Sequence, residues 1–293
     1  MKRIAIMLIA LTVLLGAEVR VSDTQTLDLA NNTVMPVFSA DGKHLLFNSL
    51  EGLQQYEIGS RKMTRIADSG FDYTMDREGR IRFRVDSFED GMRMNSVYLY
   101  DSGTKNTEKI IESKRLDIVP KITDHGVYYI ENAQIRSNLE KTSEPSRPVA
   151  FSYERAILLY SYGTAKMMKP AGEDKFYVWP SVSPDGKQLC FVDINDLYVT
   201  DLNGALRFMV KDARAPKWSP DGKWIAFMRD YDDGHVFLSS DIYVVNVETG
   251  TEYRLTDSED KFEMFPSWSP DGKQIVCEDA AHDDLVLITL DIR

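Results

Sequence analysis

The chain has 293 residues, of which 43% are hydrophobic and 28% charged, a globular composition and not a disordered one. Its formal net charge of −11 repels phosphate backbones and anionic lipid, which argues against nucleic-acid and membrane-surface partners. With only two cysteines, a disulfide scaffold is excluded.

The first element is an address. Lys2 and Arg3 precede an apolar run from Ile4 to Leu15, broken only by Thr12, and Gly16 and Ala17 follow. A basic start, a short apolar core and small residues predict a cleavable signal peptide over 1–17. The run is too short to span a bilayer comfortably, so no membrane insertion is expected after cleavage. No cysteine follows the run, so a lipid anchor is not expected. Loss of Lys2 and Arg3 takes the net charge from −11 to −13. The expected product is one domain over 18–293, periplasmic or secreted.

Repeats dominate the rest. Met35 to Phe47, Trp179 to Phe191, Ala215 to Phe227 and Phe265 to Cys277 each carry Pro, a bulky residue, Ser, Asp-Gly-Lys and an alternating apolar run. Asp76 to Phe83 and Pro120 to Tyr129 are weaker copies. Six units in the mature length give about 46 residues each, the size of a propeller blade. Within the turn, Pro presets φ, Asp bonds local backbone and Gly takes the left-handed conformation, so these residues are scaffold.

A second half follows each copy. Asp241 to Val247, Glu248-Thr249-Gly250 and Glu252 to Thr256 read as strand, turn, strand. Leu197 to Val210 does the same around Asn203-Gly204, and Val97 to Ile111 around Asp101-Ser102-Gly103. The prediction is therefore an all-β fold, a six-bladed propeller of four-stranded antiparallel blades. The last unit ends one strand short, and Thr26 to Leu29 is expected to complete it from the N-terminal side, removing an open sheet edge.

The Ser-Pro-Asp-Gly-Lys turns followed by Asp241-Ile242-Tyr243-Val244-Val245 resemble the repeats of the TolB-type β-propeller family. The resemblance implies the propeller fold and a protein-binding role. The same repeat resembles the propeller domains of prolyl-oligopeptidase-type peptidases and of some polysaccharide lyases. The N-terminal α/β domain of TolB itself has no counterpart in this sequence.

In a four-stranded meander, turns one–two and three–four lie at one end, and loops two–three and the inter-blade crossings at the other. Irregular segments carry function more often than tight turns. The long loops are read as Phe88 to Asn95, Glu131 to Arg155, Asp230 to Ser240 and Asp279 to Asp284, with Glu131 to Arg155 an insertion in the repeat. Two near-identical crossings, Glu173 to Phe176 and Glu259 to Phe262, place Asp174, Lys175, Asp260 and Lys261 at the channel mouth as candidate binding residues. His235 and His282 lie in loops of neighbouring blades beside acids and complete that set. A divalent metal between them is weighed and set aside, as is the incomplete calcium-like stretch Asp230 to Gly234.

No Gly-x-Ser-x-Gly elbow, His-Glu-x-x-His pair or Gly-rich phosphate loop occurs. Cys190 and Cys277 fall on opposite strand faces of separate units, which reads as core packing and not a disulfide. The expectation is a monomeric, non-enzymatic scaffold binding a protein or peptide, with no catalytic residue, no cofactor and no metal. The alternatives are a lyase or hydrolase of acidic sugars, or a regulatory propeller serving a separate catalytic chain.

Overall fold

The computed structural model describes residues 18–29, 33–123, 126–139, 147–161, 163–232 and 237–293. The expected signal peptide, 1–17, lies outside them. Every described element is a β-strand, and all strand pairs within the sheets are antiparallel. The strands form seven sheets and not six. Blades 1 (34–67), 2 (71–114), 5 (178–210), 6 (214–254) and 7 (263–292 with 19–27) have four strands each. Blades 3 (121–139) and 4 (149–168) have three among the described residues.

The miscount has a physical cause. The sequence repeat marks an inner strand, its Asp-Gly turn and the second strand. Blade 4 has no such turn in its described part, so it passed as an insertion. Its strands are Val149–Tyr153, Ala156–Ser161 and Thr164–Met168. Gln134–Leu139, the third strand of blade 3, was hidden in the same stretch. Only 140–146 lies outside the described residues there. Two other expected loops, Phe88 to Asn95 and the described part of Asp230 to Ser240, are also largely strand, the latter pairing Asp230 with Ser240 and Asp232 with Phe237. Arg80–Glu89 and Met92–Asp101 form one long hairpin with its tip at Asp90-Gly91. Asp279 to Asp284 is a tight turn between paired strands.

Closure occurs as expected, over a longer strand. Val19–Leu27 pairs along Asp284–Ile292, with Thr26 opposite Val286 and Val19 opposite Ile292. Glu18 and Arg293 exchange backbone hydrogen bonds of 3.1 and 3.0 Å at the end of the ladder. Val19 and Leu27 are buried in different clusters, so the strand is packed at both ends.

The turns are locally encoded. Ser183 Oγ donates to Asp185 Oδ1 (2.6 Å), Lys187 N donates to the same oxygen (3.1 Å), and Gln188 N donates to Ser183 Oγ (2.9 Å). Ser39, Ser219 and Ser269 repeat the pattern. Gly42, Gly186, Gly222 and Gly272 have φ of 70–72°, which only glycine adopts freely. The turns also interlock. A Cβ on Gly222 would lie 3.6 Å from Pro184, one on Gly272 3.7 Å from Pro220, and one on Gly42 3.4 Å from Pro270. Gly186 meets Pro148 in the same way at 3.5 Å. Pro148 thus stands in the turn ring, and Val149–Tyr153 runs away from it in the place of a second strand. The described inner strands therefore number six around seven blades.

Cores lie between blades, each built from the alternate faces of adjacent sheets. Cys277 belongs to one cluster and Cys190 to another, and both are free and buried.

Candidate functional site on the loop face and channel

Five inner strands carry a bulge near their loop-face end. Met35, Asp72, Trp179, Ala215 and Phe265 have φ of 49–54°, and the register slips at each. Four of the five precede a proline, whose missing N–H suits the break in the ladder. A bulge bends the strand and re-aims its side chains. Met35 and Trp179 are consequently exposed at the channel mouth.

The acid that ends a second strand is structural. Asp193 accepts from Phe176 N (2.9 Å) and from Lys175 Nζ (2.7 Å), with only 4% of its side chain exposed. That bond, first, and the adjacent charge hold the Lys175 pKa above the usual lysine value. Asp279 accepts from Phe262 N (3.3 Å) in the equivalent place, and its second oxygen meets His282 Nδ1 at 2.9 Å. Lys261 departs from its repeat partner and reaches Thr26 Oγ1 at 3.2 Å. Asp174 and Asp260 are exposed beside them. Of the six candidate residues, the structure thus brings His282 to Asp279 and Lys175 to Asp193, and leaves Asp174 and Asp260 in solvent. His235 lies outside the described residues. No metal-holding group of three His, Cys, Asp or Glu occurs among the described residues.

A cavity of about 840 Å³ opens between blades 3, 4 and 5. Its walls are the crossing Arg115 to Ile118, the hairpin Ser152 to Ala156 and the crossing Phe176 to Val178. The Arg155 guanidinium lies over the Phe176 ring at 5.0 Å, and Ser152 Oγ donates to Tyr177 O. The sequence offered one sign of this site: Glu154-Arg155 between two apolar runs, a two-residue hairpin whose residues both take positive φ.

Apolar exposure is lopsided. Leu50, Phe88, Ile194, Leu238, Met35 and Phe176 are each at least half exposed, and all sit on the loop face. Only Met167 and Leu206, on outer strands, reach the same exposure elsewhere among the described residues.

Deeper in the channel, two lysines were missed from the sequence. Lys121 and Lys217 both follow a proline and occupy one repeat position on the inner strands Lys121–Thr123 and Arg214–Trp218. Burial pulls both pKa values below the usual lysine range, and for Lys121 the charge of Lys217 adds to the fall. Lys217 is nonetheless wetted, as a side chain in a narrow aqueous channel is.

Seven radial antiparallel blades closed by an N-terminal strand define the class, a seven-bladed β-propeller. Residues 163–281 match the family model described as the TolB beta propeller domain, a stretch that spans blades 5 and 6 and the first two strands of blade 7. No curated protein sequence matches the chain. An oligogalacturonate lyase from Vibrio parahaemolyticus is similar in structure, with a TM-score of 0.51 at 12% identity, covering 89% of this chain and 78% of that one. A second solved structure, an oligogalacturonate lyase in complex with manganese, gives a TM-score of 0.48 at 17% identity over the same shares. The first likeness is one of fold.

Proposed function

We propose that this protein is an exported, non-enzymatic propeller that docks a protein or peptide on its loop face. The observation that carries the reading is that six of the eight apolar side chains at least half exposed among the described residues lie on that face, on loops of blades 1, 2, 5 and 6 and at Phe176, which also lines the cavity between blades 3 and 5. Apolar groups exposed together mark interaction surfaces on soluble proteins. The opposite face is built from interlocked Pro-Gly turns whose side chains are committed to local bonds, so it has little to offer a specific partner.

The alternative of a sugar lyase using His235 and His282 gains no support from the described histidine. His282 is engaged with Asp279, a residue that also holds the crossing backbone. The fold likeness to oligogalacturonate lyases is compatible with either reading.

The test is cross-linked capture from the exported fraction, comparing Ile194→Asp and Phe176→Ala with Lys187→Glu and Lys223→Glu on the turn face. The loop-face changes are expected to cut capture of one defined partner about tenfold or more, the cost of losing a buried anchor. Capture lost only by the turn-face variants overturns the assignment.

A further inference from the structure

One step past the bulge, the six described inner strands present Val37, Thr74, Lys121, Ser181, Lys217 and Ser267 at equivalent register. Four are uncharged and two are lysines. Blades 3 and 6 do not adjoin, yet Lys217 acts on Lys121, and Asp72 of blade 2 acts on both. Charges on three separate blades meet only across the central channel. Neither ammonium has a hydrogen bond or ion pair with any described residue. Asp72 offsets them only in part, because its carboxylate is shared with Arg84, whose Nε donates to it at 2.8 Å. Two like charges at one level of the channel, neither with a hydrogen-bonded partner among the described residues, repel each other, and an anion bound between them relieves that repulsion.

The rim above them has a different chemistry. Four of the five bulge residues, Met35, Trp179, Ala215 and Phe265, are apolar, with Met35 and Trp179 exposed, and the fifth, Asp72, is paired with Arg84. Two residues of strand separate this rim from the lysine level, roughly 6–7 Å. An apolar rim over a cationic floor suits a ligand with an apolar body and one anionic end.

We propose that the channel is a binding site for a carboxylate carried on an apolar body, the head between Lys121 and Lys217 and the body against Met35, Trp179 and Phe265. A free aryl or alkyl carboxylate and the C-terminal residue of a polypeptide share this chemistry. The site is separate from the cavity between blades 3 and 5, so it stands or falls apart from the docking reading.

The experiment is titration calorimetry of the full chain with N-acetylphenylalanine, its C-terminal amide, N-acetyl-Ala-Ala-Phe and citrate. The free acid is expected to bind at least tenfold more tightly than the amide and than citrate. Lys121→Met with Lys217→Met is expected to bring the free acid down to the amide's level, and Trp179→Ala to weaken it severalfold. Lys223→Met, on the turn face, leaves binding unchanged. Tighter binding of the tripeptide assigns the site to a polypeptide end, and equal or weaker binding to a small carboxylate. Without ligand, the double Lys→Met variant is expected to melt at or above the parent temperature, because a repulsion has been removed. Failure of every acid to bind, binding that survives the double variant, or a double variant that melts well below the parent overturns the proposal.

Discussion

Thr26 stands opposite Val286 in the ladder that joins the first described strand to the last. The pairing completes blade 7 and leaves no gap between it and blade 1. Removing residues 19–27 strips that ladder and exposes apolar surface that Val19 and Leu27 cover from two sides. The expected loss is about 5 kcal/mol, from two buried apolar side chains and several backbone bonds. Chemical denaturation of the truncated chain reads it directly. A midpoint equal to the parent's contradicts a closing role for the strand.

Glycine substitutions separate strain from freedom. Gly52 has φ of 102°, and a Cβ there would lie 2.2 Å from the Ala67 carbonyl oxygen. Gly272 has φ of 70° and meets only Pro220 at 3.7 Å. Gly52→Ala is therefore expected to cost about 3 kcal/mol or more, and Gly272→Ala about 1 kcal/mol. Paired thermal melts decide the order.

Glu263 makes stability pH-dependent in an unusual direction. Burial holds its carboxyl above the usual value of 4.5, Asp241 and Asp279 reinforce the shift, and the Ser258 hydroxyl opposes it. The folded state thus binds a proton more tightly than the unfolded chain. Its contribution is present at low pH and is lost as pH rises from 4.5 through the raised value. Glu263→Gln keeps an acceptor for Ser258 and removes the buried charge. It is expected to raise Tm by a few degrees at pH 8 and to change little near pH 4. The turn carboxylates Asp185 and Asp271 act oppositely. The Ser183 and Ser269 hydroxyls, chiefly, lower their pKa values, so their contribution is present above the usual carboxylate value of 3.8 and is lost below it. Melts of parent and variant from pH 8 down to about pH 2 separate the two effects.

The two near-copies at the crossings should respond differently to one change. Lys175 pairs with the buried Asp193, whereas Lys261 only reaches a threonine hydroxyl. Lys175→Glu places a carboxylate against a buried one and is expected to lower Tm. Lys261→Glu is expected to leave Tm within a degree or so. Equal responses in differential scanning calorimetry contradict the role given to Asp193.

Much of the fold was legible because its turns are written locally. Ser, Asp and Gly within four residues close their own hydrogen bonds, so each copy announces a strand–turn–strand wherever it lies. Asn203-Gly204 and Glu248 to Gly250 did the same for the outer hairpins. Blade 4 escaped because Pro148 holds its place in the turn ring with no Asp-Gly beside it. The charged crossings were visible, but their bonds to Asp193 and Asp279 join residues of different strands and could not be read from spacing.

By itself, then, the amino-acid order determined the propeller architecture, the end of each blade where tight turns gather, and closure by an N-terminal strand. Each follows from contacts within a few residues or from a two-residue strand period. Tertiary structure alone decided that the ring has seven blades. It also set Lys121 and Lys217 at one level of the inner strands and brought most of the exposed apolar residues to one face. These depend on how many sheets fit around the axis and on which strands then face one another. No local interaction encodes that. It follows from packing of whole blades, where twist and side-chain volume fix the ring, and the ring in turn decides which distant charges share a channel.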